Sequence, residues 1–180
     1  KDLQGPGVIY RLWTPTPSDD VLEFLFDGEP KPRVEVKFRD LFLGKHPEFP
    51  RPLVGFGAGG YYCYVPLPFA KSCVVRMRAP KVQFYQINYA LYEPGTPLSS
   101  FNPQPSAEER VHRDRACDLF RHAGSDLNRF AAPPGTRVES SQTRITLQPG
   151  SAQAIFRADQ GGRIVGVRLS PAEAMAGKAR

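Results

Sequence analysis

Charged and apolar residues alternate without a break at Arg33-Val34-Glu35-Val36-Lys37-Phe38. A period of two sets Val34, Val36 and Phe38 on one face of a strand and Arg33, Glu35 and Lys37 on the other. Leu22-Glu23-Phe24-Leu25-Phe26 before it is more apolar, as befits a strand nearer a core. Between them, Asp27-Gly28-Glu29-Pro30-Lys31-Pro32 holds a glycine that accepts positive φ and prolines that exclude helix. The pair predicts an antiparallel hairpin with one buried face. Such a face needs a second sheet over it, which a β-sandwich provides.

The same reading predicts the other elements. Residues 3–7 form a turn and residues 8–13 a strand, followed by a loop to the hairpin. Residues 39–44 suit a short turn of helix and residues 46–52 a proline-punctuated loop. Gly55-Phe56-Gly57-Ala58-Gly59-Gly60 lacks the Lys-Ser or Lys-Thr of a phosphate loop and runs into a strand rather than a helix. It is either a flexible loop before a core strand, or a place where backbone approaches a ligand while the neighbouring tyrosines line the site. Residues 72–78 and 82–92 are strands, the second the longest. Its Gln86 and Asn88 share a face and either reach sugar hydroxyls or meet solvent. Ser106-Ala107-Glu108-Glu109 is a capping box, opening a helix over residues 107–123 with Gly124 at its end. Val111, Ala116, Leu119 and Phe120 are spaced for its apolar face. Two more strands are predicted at residues 137–147 and 152–157. The stretch Gln160-Gly161-Gly162 through Ser170-Pro171 resembles Gln4-Gly5-Pro6 through Thr14-Pro15, as a second copy of the module would.

Composition adds limits. The 180 residues are 41% hydrophobic and 23% charged, a globular balance, and 19 prolines with 16 glycines favour short strands over helices. The net charge of +6 raises nucleic-acid binding. The basic residues are dispersed among acids rather than gathered beside stacking aromatics, so no nucleic-acid partner is expected. No apolar run would span a membrane. Cys63, Cys73 and Cys117 lack zinc-ligand spacing and are expected to be buried free thiols. His112 and His122 lie on the charged helix without a partner at ligand spacing, so no metal and no cofactor is expected. The chain starts at Lys1-Asp2-Leu3 without a methionine, as an excerpt would.

Several runs recur together as in one family: Gly5-Pro6-Gly7-Val8-Ile9 with Trp13, Phe26-Asp27-Gly28-Glu29, Phe38-Arg39-Asp40-Leu41-Phe42, Tyr64-Val65-Pro66-Leu67-Pro68-Phe69 and Tyr85-Gln86-Ile87-Asn88-Tyr89. With them the chain resembles glycoside hydrolase family 172. The resemblance implies a mainly β fold, a jelly-roll β-sandwich with one helix after it. It also implies tandem jelly rolls, trimer-based homo-oligomers and retaining hydrolysis of α-linked D-arabinofuranosides or D-fructofuranosides. The partner is then a furanoside-containing glycan, and glycan degradation implies export from a bacterial cell. Retaining hydrolysis needs two carboxylates about 5–5.5 Å apart. The Gly-Thr-Glu-Asp-Tyr stretch associated with them does not occur here, so the catalytic pair is expected outside this chain. Phe26 stands where many members carry Trp.

The expected organisation is a first jelly roll over residues 1–104, a connecting helix, loop and strand over 105–150, and the first strands of a second repeat over 151–180. Candidate substrate-binding residues are Trp13, Asp27, Glu29, Asp40 and Tyr61. Asp27 equally suits turn chemistry and Asp40 a helix cap. The alternative to a hydrolase domain is a non-catalytic carbohydrate-binding or assembly module.

Overall fold

The structure is a computed structural model that describes residues 1–122, 135–146, 148–162, 164 and 166–170. The chain divides into two units, Lys1–His122 and Ala123–Arg180. The first is a sandwich of two antiparallel sheets followed by a helix. One sheet has the order β1 (Asp2–Gln4), β8 (Ser72–Arg78), β3 (Val21–Phe26), β4 (Val34–Lys37). The other holds β5 (Val54–Gly57), β6 (Gly60–Cys63), β2 (Gly7–Thr14), β7 (Leu67–Phe69) and β9 (Gln86–Leu91). β9 pairs along β2 from Gly7 to Trp13, so β6 and β7 share the opposite edge of β2, one on each half.

The hairpin that alternation predicted is β3–β4, with Leu22 opposite Val36 and Phe24 opposite Val34. Val34, Val36 and Phe38 are buried, but Phe38 starts a helix instead of ending the strand. Asp27 and Gly28 have φ of 54° and 78°, and the Glu29 N–H donates to the Phe26 carbonyl over 2.9 Å. Two consecutive positive φ values close a tight turn over residues 26–29, and the chain then runs on through residues 30–33 to reach β4. Phe24 and Phe26 share the core with Ile9, Leu67 and Phe69, with no exposure at these five positions. Each such side chain contributes about 1.5–3 kcal/mol when removed from water.

The chain departs from its pattern in four places. Residues 2–4, read as a turn, form β1, which pairs with β8 from Leu3 opposite Cys73. The glycine-rich run is a hairpin: Gly57 pairs Gly60 around Ala58 and Gly59 at φ 49° and 79°. β9 begins at Gln86 rather than residue 82, because Phe84 sits at φ 48° and its carbonyl accepts from the Thr14 hydroxyl over 2.8 Å. That bend ends the extended run.

The short helix α1 (Phe38–Leu43) closes on Gly44 at φ 70°. α2 (Ala107–Arg121) opens with the predicted capping box: Ser106 accepts from the Glu109 N–H, and Glu109 accepts from the Ser106 N–H. Its covered positions are Arg113, Ala116, Cys117 and Leu119, with Phe120 37% and Val111 65% exposed, so the fourth departure is Val111, which leaves the expected face. Arg113, Ala116 and Cys117 recur at three and four residues and Leu119 follows Ala116 by three, whereas Val111 falls off that stripe. Ala123 and Gly124, the expected helix end, lie outside the described residues.

In the second unit the strands expected at 137–147 and 152–157 do not form among the described residues. Val138, Ile155, Phe156, Ile164, Val167 and Leu169 are all exposed. Alternation marks a face, but a strand persists only where its N–H and C=O groups find a ladder partner. Leu147, Arg163, Val165 and Pro171, part of the same expectations, lie outside the described residues.

Candidate functional site

The outward face of the β2 sheet is built from three period-two pairs. Arg11 and Trp13 come from β2, Gln86 and Asn88 from β9, and Tyr62 with Tyr64 from β6 and the residue beyond it. Register sets Trp13 between Tyr62 and Gln86, and Arg11 opposite Asn88. A shift in pairing between Ile9 and Arg11 turns Arg11 onto the Trp13 face. Leu12 between them is buried, as the alternation requires.

Glycines give the rings their seats. A Cβ on Gly60 would collide with the Trp13 indole, and one on Gly55 would come within 2.7 Å of the Tyr62 hydroxyl oxygen. Aromatic faces therefore lie against bare backbone. Tyr64 continues the row, its ring centroid 5.5 Å from Tyr62 and 5.4 Å from Phe120 of α2. The result is an open groove of about 460 Å³ lined by Arg11, Trp13, Tyr62, Tyr64, Gln86 and Phe120, with Gly57 and Ala58 at the hairpin end.

Polar groups converge on this aromatic floor. Arg11 Nη1 donates to Gln86 Oε1 over 2.7 Å and to Asn88 Oδ1 over 3.0 Å, and the guanidinium lies 6.0 Å from the Tyr64 ring centre. Both amides thereby turn their NH2 groups away from Arg11, free to donate elsewhere. Flat apolar faces bordered by fixed donors suit a small ring that carries hydroxyl groups. A second, more enclosed cleft of about 190 Å³ lies on the other side of Trp13, between the sheets, with Leu12, Leu22, Phe38, Met77 and Ile87 in its wall.

Residues 1–109 match the family described as the GH172 first beta-sandwich domain. The chain belongs to the GH172 family. A search among curated proteins returned no match. The GH172 assignment makes the first unit a glycoside hydrolase-related β-sandwich, in agreement with the two sheets observed.

Of the five residues marked from the sequence, only Trp13 lines the groove of this GH172 domain. Asp27 Oδ1 accepts from the Lys71 and Ser72 N–H groups over 2.8 and 3.3 Å, and Oδ2 accepts from the Ser100 hydroxyl over 2.5 Å. Burial alone would raise its pKa. Those hydrogen bonds and the Arg33 charge outweigh burial and hold it below the usual carboxylate value. Glu29 receives Arg33 through Nε at 2.8 Å and Nη2 at 2.5 Å, a two-pronged pair that lowers the Glu29 pKa. Glu29 is thus committed within the β3–β4 turn, and Asp27 ties that turn to the start of β8 and to Ser100. Asp40 does not cap α1: the N-cap is Lys37, with no side-chain bond, and Asp40 in the first turn pairs with Lys45 at 2.8 Å. Tyr61 alternates to the inner side, with Phe42 at 6.0 Å and Phe56 at 5.0 Å.

One GH172 carboxylate escaped the sequence reading. Glu23 on β3 has no exposed surface, yet it belongs to the outward face of its sheet. Arg76 Nε meets it at 2.5 Å and Arg78 Nη2 closes on its other oxygen, while Arg78 also reaches Glu35 at 3.0 Å. Hydrogen bonds from Arg76 and then Arg78 lower the Glu23 pKa. The run Leu22 to Phe26 hides this residue among apolar neighbours. Tyr62 and Tyr64 belong to the tyrosines offered as one reading of the glycine-rich run, but Arg11 and their meeting with Trp13 were missed for another reason. Each pair shows its period of two, but nothing local says which strands become neighbours.

Proposed function

We propose that this chain is the first β-sandwich of a retaining glycoside hydrolase acting on α-D-arabinofuranosides or α-D-fructofuranosides. In this reading the groove at Trp13 forms a wall for the sugar, and the catalytic carboxylates come from outside the chain. The observation that carries it is the family match over the sandwich, joined to an aromatic floor with amide and guanidinium donors at its edge. Residues 151–180 then belong to a second repeat, and the full assembly is a trimer-based homo-oligomer. The exposed Tyr89, Leu91 and Tyr92 at the β9 edge support a further contact there.

The alternative, a carbohydrate-binding module without hydrolysis, is favoured by one observation: among the described residues, no carboxylate lines the groove. One assay bears on both. The chain is expected to bind methyl α-D-arabinofuranoside and to leave p-nitrophenyl α-D-arabinofuranoside intact. A longer protein carrying the paired carboxylates is expected to release nitrophenol. Turnover by the chain alone would overturn the proposed division of labour.

A further inference from the structure

The groove contains one charged group, and its charge is not neutralised. Arg11 makes no ion pair among the described residues, whereas Arg33, Arg39, Arg76 and Arg78 all meet carboxylates. No acidic residue appears in the groove lining among the described residues. The hydrogen-bond pattern is also one-sided. Both hydrogens of Nη1 are spent on Gln86 and Asn88, which fixes the plane of the guanidinium. Nε and Nη2 keep three hydrogens without a protein acceptor among the described residues. Those two nitrogens form the edge that grips a carboxylate or phosphate with two parallel hydrogen bonds.

We infer that the Trp13 groove recognises a sugar bearing an oxyanion, with Arg11 as the anion ligand and the Trp13–Tyr62–Tyr64 row as the ring platform. This rests on the carbohydrate reading of the groove and names a substrate class within it. Gln86 and Asn88 hold Arg11 as a pre-set fork, so little side-chain freedom is lost on binding. Arg11 lines the groove with these donors to spare.

Trp13 is the single tryptophan in the chain, so its fluorescence reports the groove and the cleft behind it, and the Arg11 variants assign the response to the groove. The full chain is titrated with methyl α-D-arabinofuranoside, arabinose phosphate, glucuronate and inorganic phosphate. Arabinose phosphate or glucuronate is expected to bind about tenfold more tightly than the neutral furanoside, and the tighter of the two identifies the oxyanion. Arg11→Gln is expected to bring the ratio of anionic to neutral affinity from about tenfold to about one, whatever the change in neutral-sugar affinity itself. Arg11→Lys keeps the charge without the fork and is expected to lose most of the preference, which decides the matter should the glutamine variant unfold.

Equal affinity for neutral and anionic sugars, or a preference that survives in both variants, would overturn the proposal and leave the carbohydrate reading standing. Inorganic phosphate binding as tightly as arabinose phosphate would keep the anion fork and sink the sugar platform. No response to any of the four would sink both.

Discussion

The indole of Trp13 rests on the backbone of Gly60 with no space for a Cβ between them. Gly60 carries no positive-φ demand, so its substitution tests steric room alone. Gly60→Ala is expected to displace the ring, cost about 1–3 kcal/mol by overpacking, and shift the emission of the only tryptophan. Gly59, its neighbour in the same hairpin, offers the contrast. It sits at φ 79° with open space where a Cβ would point. Gly59→Ala is therefore expected to cost about 1–2 kcal/mol through backbone strain while leaving the indole and its emission in place.

Glu23 ties acid stability to the outer face of the β1–β8–β3–β4 sheet. Its folded pKa lies below the ordinary value of 4.5 because Arg76 and Arg78 donate to the ionised form. A depressed folded pKa contributes stability that is full above the unfolded value and is lost as pH falls through the folded one. Glu23→Gln is expected to lower the melting temperature at neutral pH. The gap between the two proteins should begin to narrow near pH 4.5, where the unfolded carboxylate starts to bind protons, and close as pH falls through the lower folded value. A gap that stayed constant from neutral pH into acid would show that the pair contributes nothing through charge.

Asp27 separates a structural role from a ligand role. Asp27→Ala strands the Lys71 and Ser72 N–H groups and the Ser100 hydroxyl. The expected cost is about 1–3 kcal/mol in chemical denaturation. Sugar affinity, read from Trp13 fluorescence, is expected to stay within about twofold of wild type. A loss of affinity at unchanged stability would return Asp27 to the binding site.

The hairpin, the capping box and the two-sheet requirement were legible because each follows from spacing within a few residues. Strand adjacency was not. Trp13 was marked as a candidate, but its neighbours Arg11, Tyr62 and Gln86 meet it only through pairing between β2, β6 and β9. Asp27 and Glu29 stood out as acids in a turn; Glu29 is held locally by Arg33, whereas Asp27 is held by Lys71, Ser72 and Ser100, far along the chain, which no local pattern shows. The glycine-rich run was ambiguous for a related reason. Its glycines serve both the hairpin turn at Gly59 and the ring seats at Gly55 and Gly60, and only the second use needs the tertiary fold.

The cap of α2 sets how firmly the helix is held on the sandwich, and Cys117 offers a direct measure of it. All three thiols are free and buried. Cys63 and Cys73 lie in the core between the sheets, and burial pushes their pKa values up to about 12, so they react only when the sandwich opens. Burial raises the Cys117 pKa as well, but this thiol belongs to α2 and is uncovered when the helix lifts or frays. Ser106→Ala removes the acceptor for the Glu109 N–H. Losing such a cap costs about 1 kcal/mol, which corresponds to a helix opened about fivefold more often. Thiol labelling followed by mass spectrometry should then show Cys117 modified about fivefold faster in the variant, with Cys63 and Cys73 unchanged. Equal acceleration at all three cysteines would mean that α2 and the sandwich open as one cooperative unit.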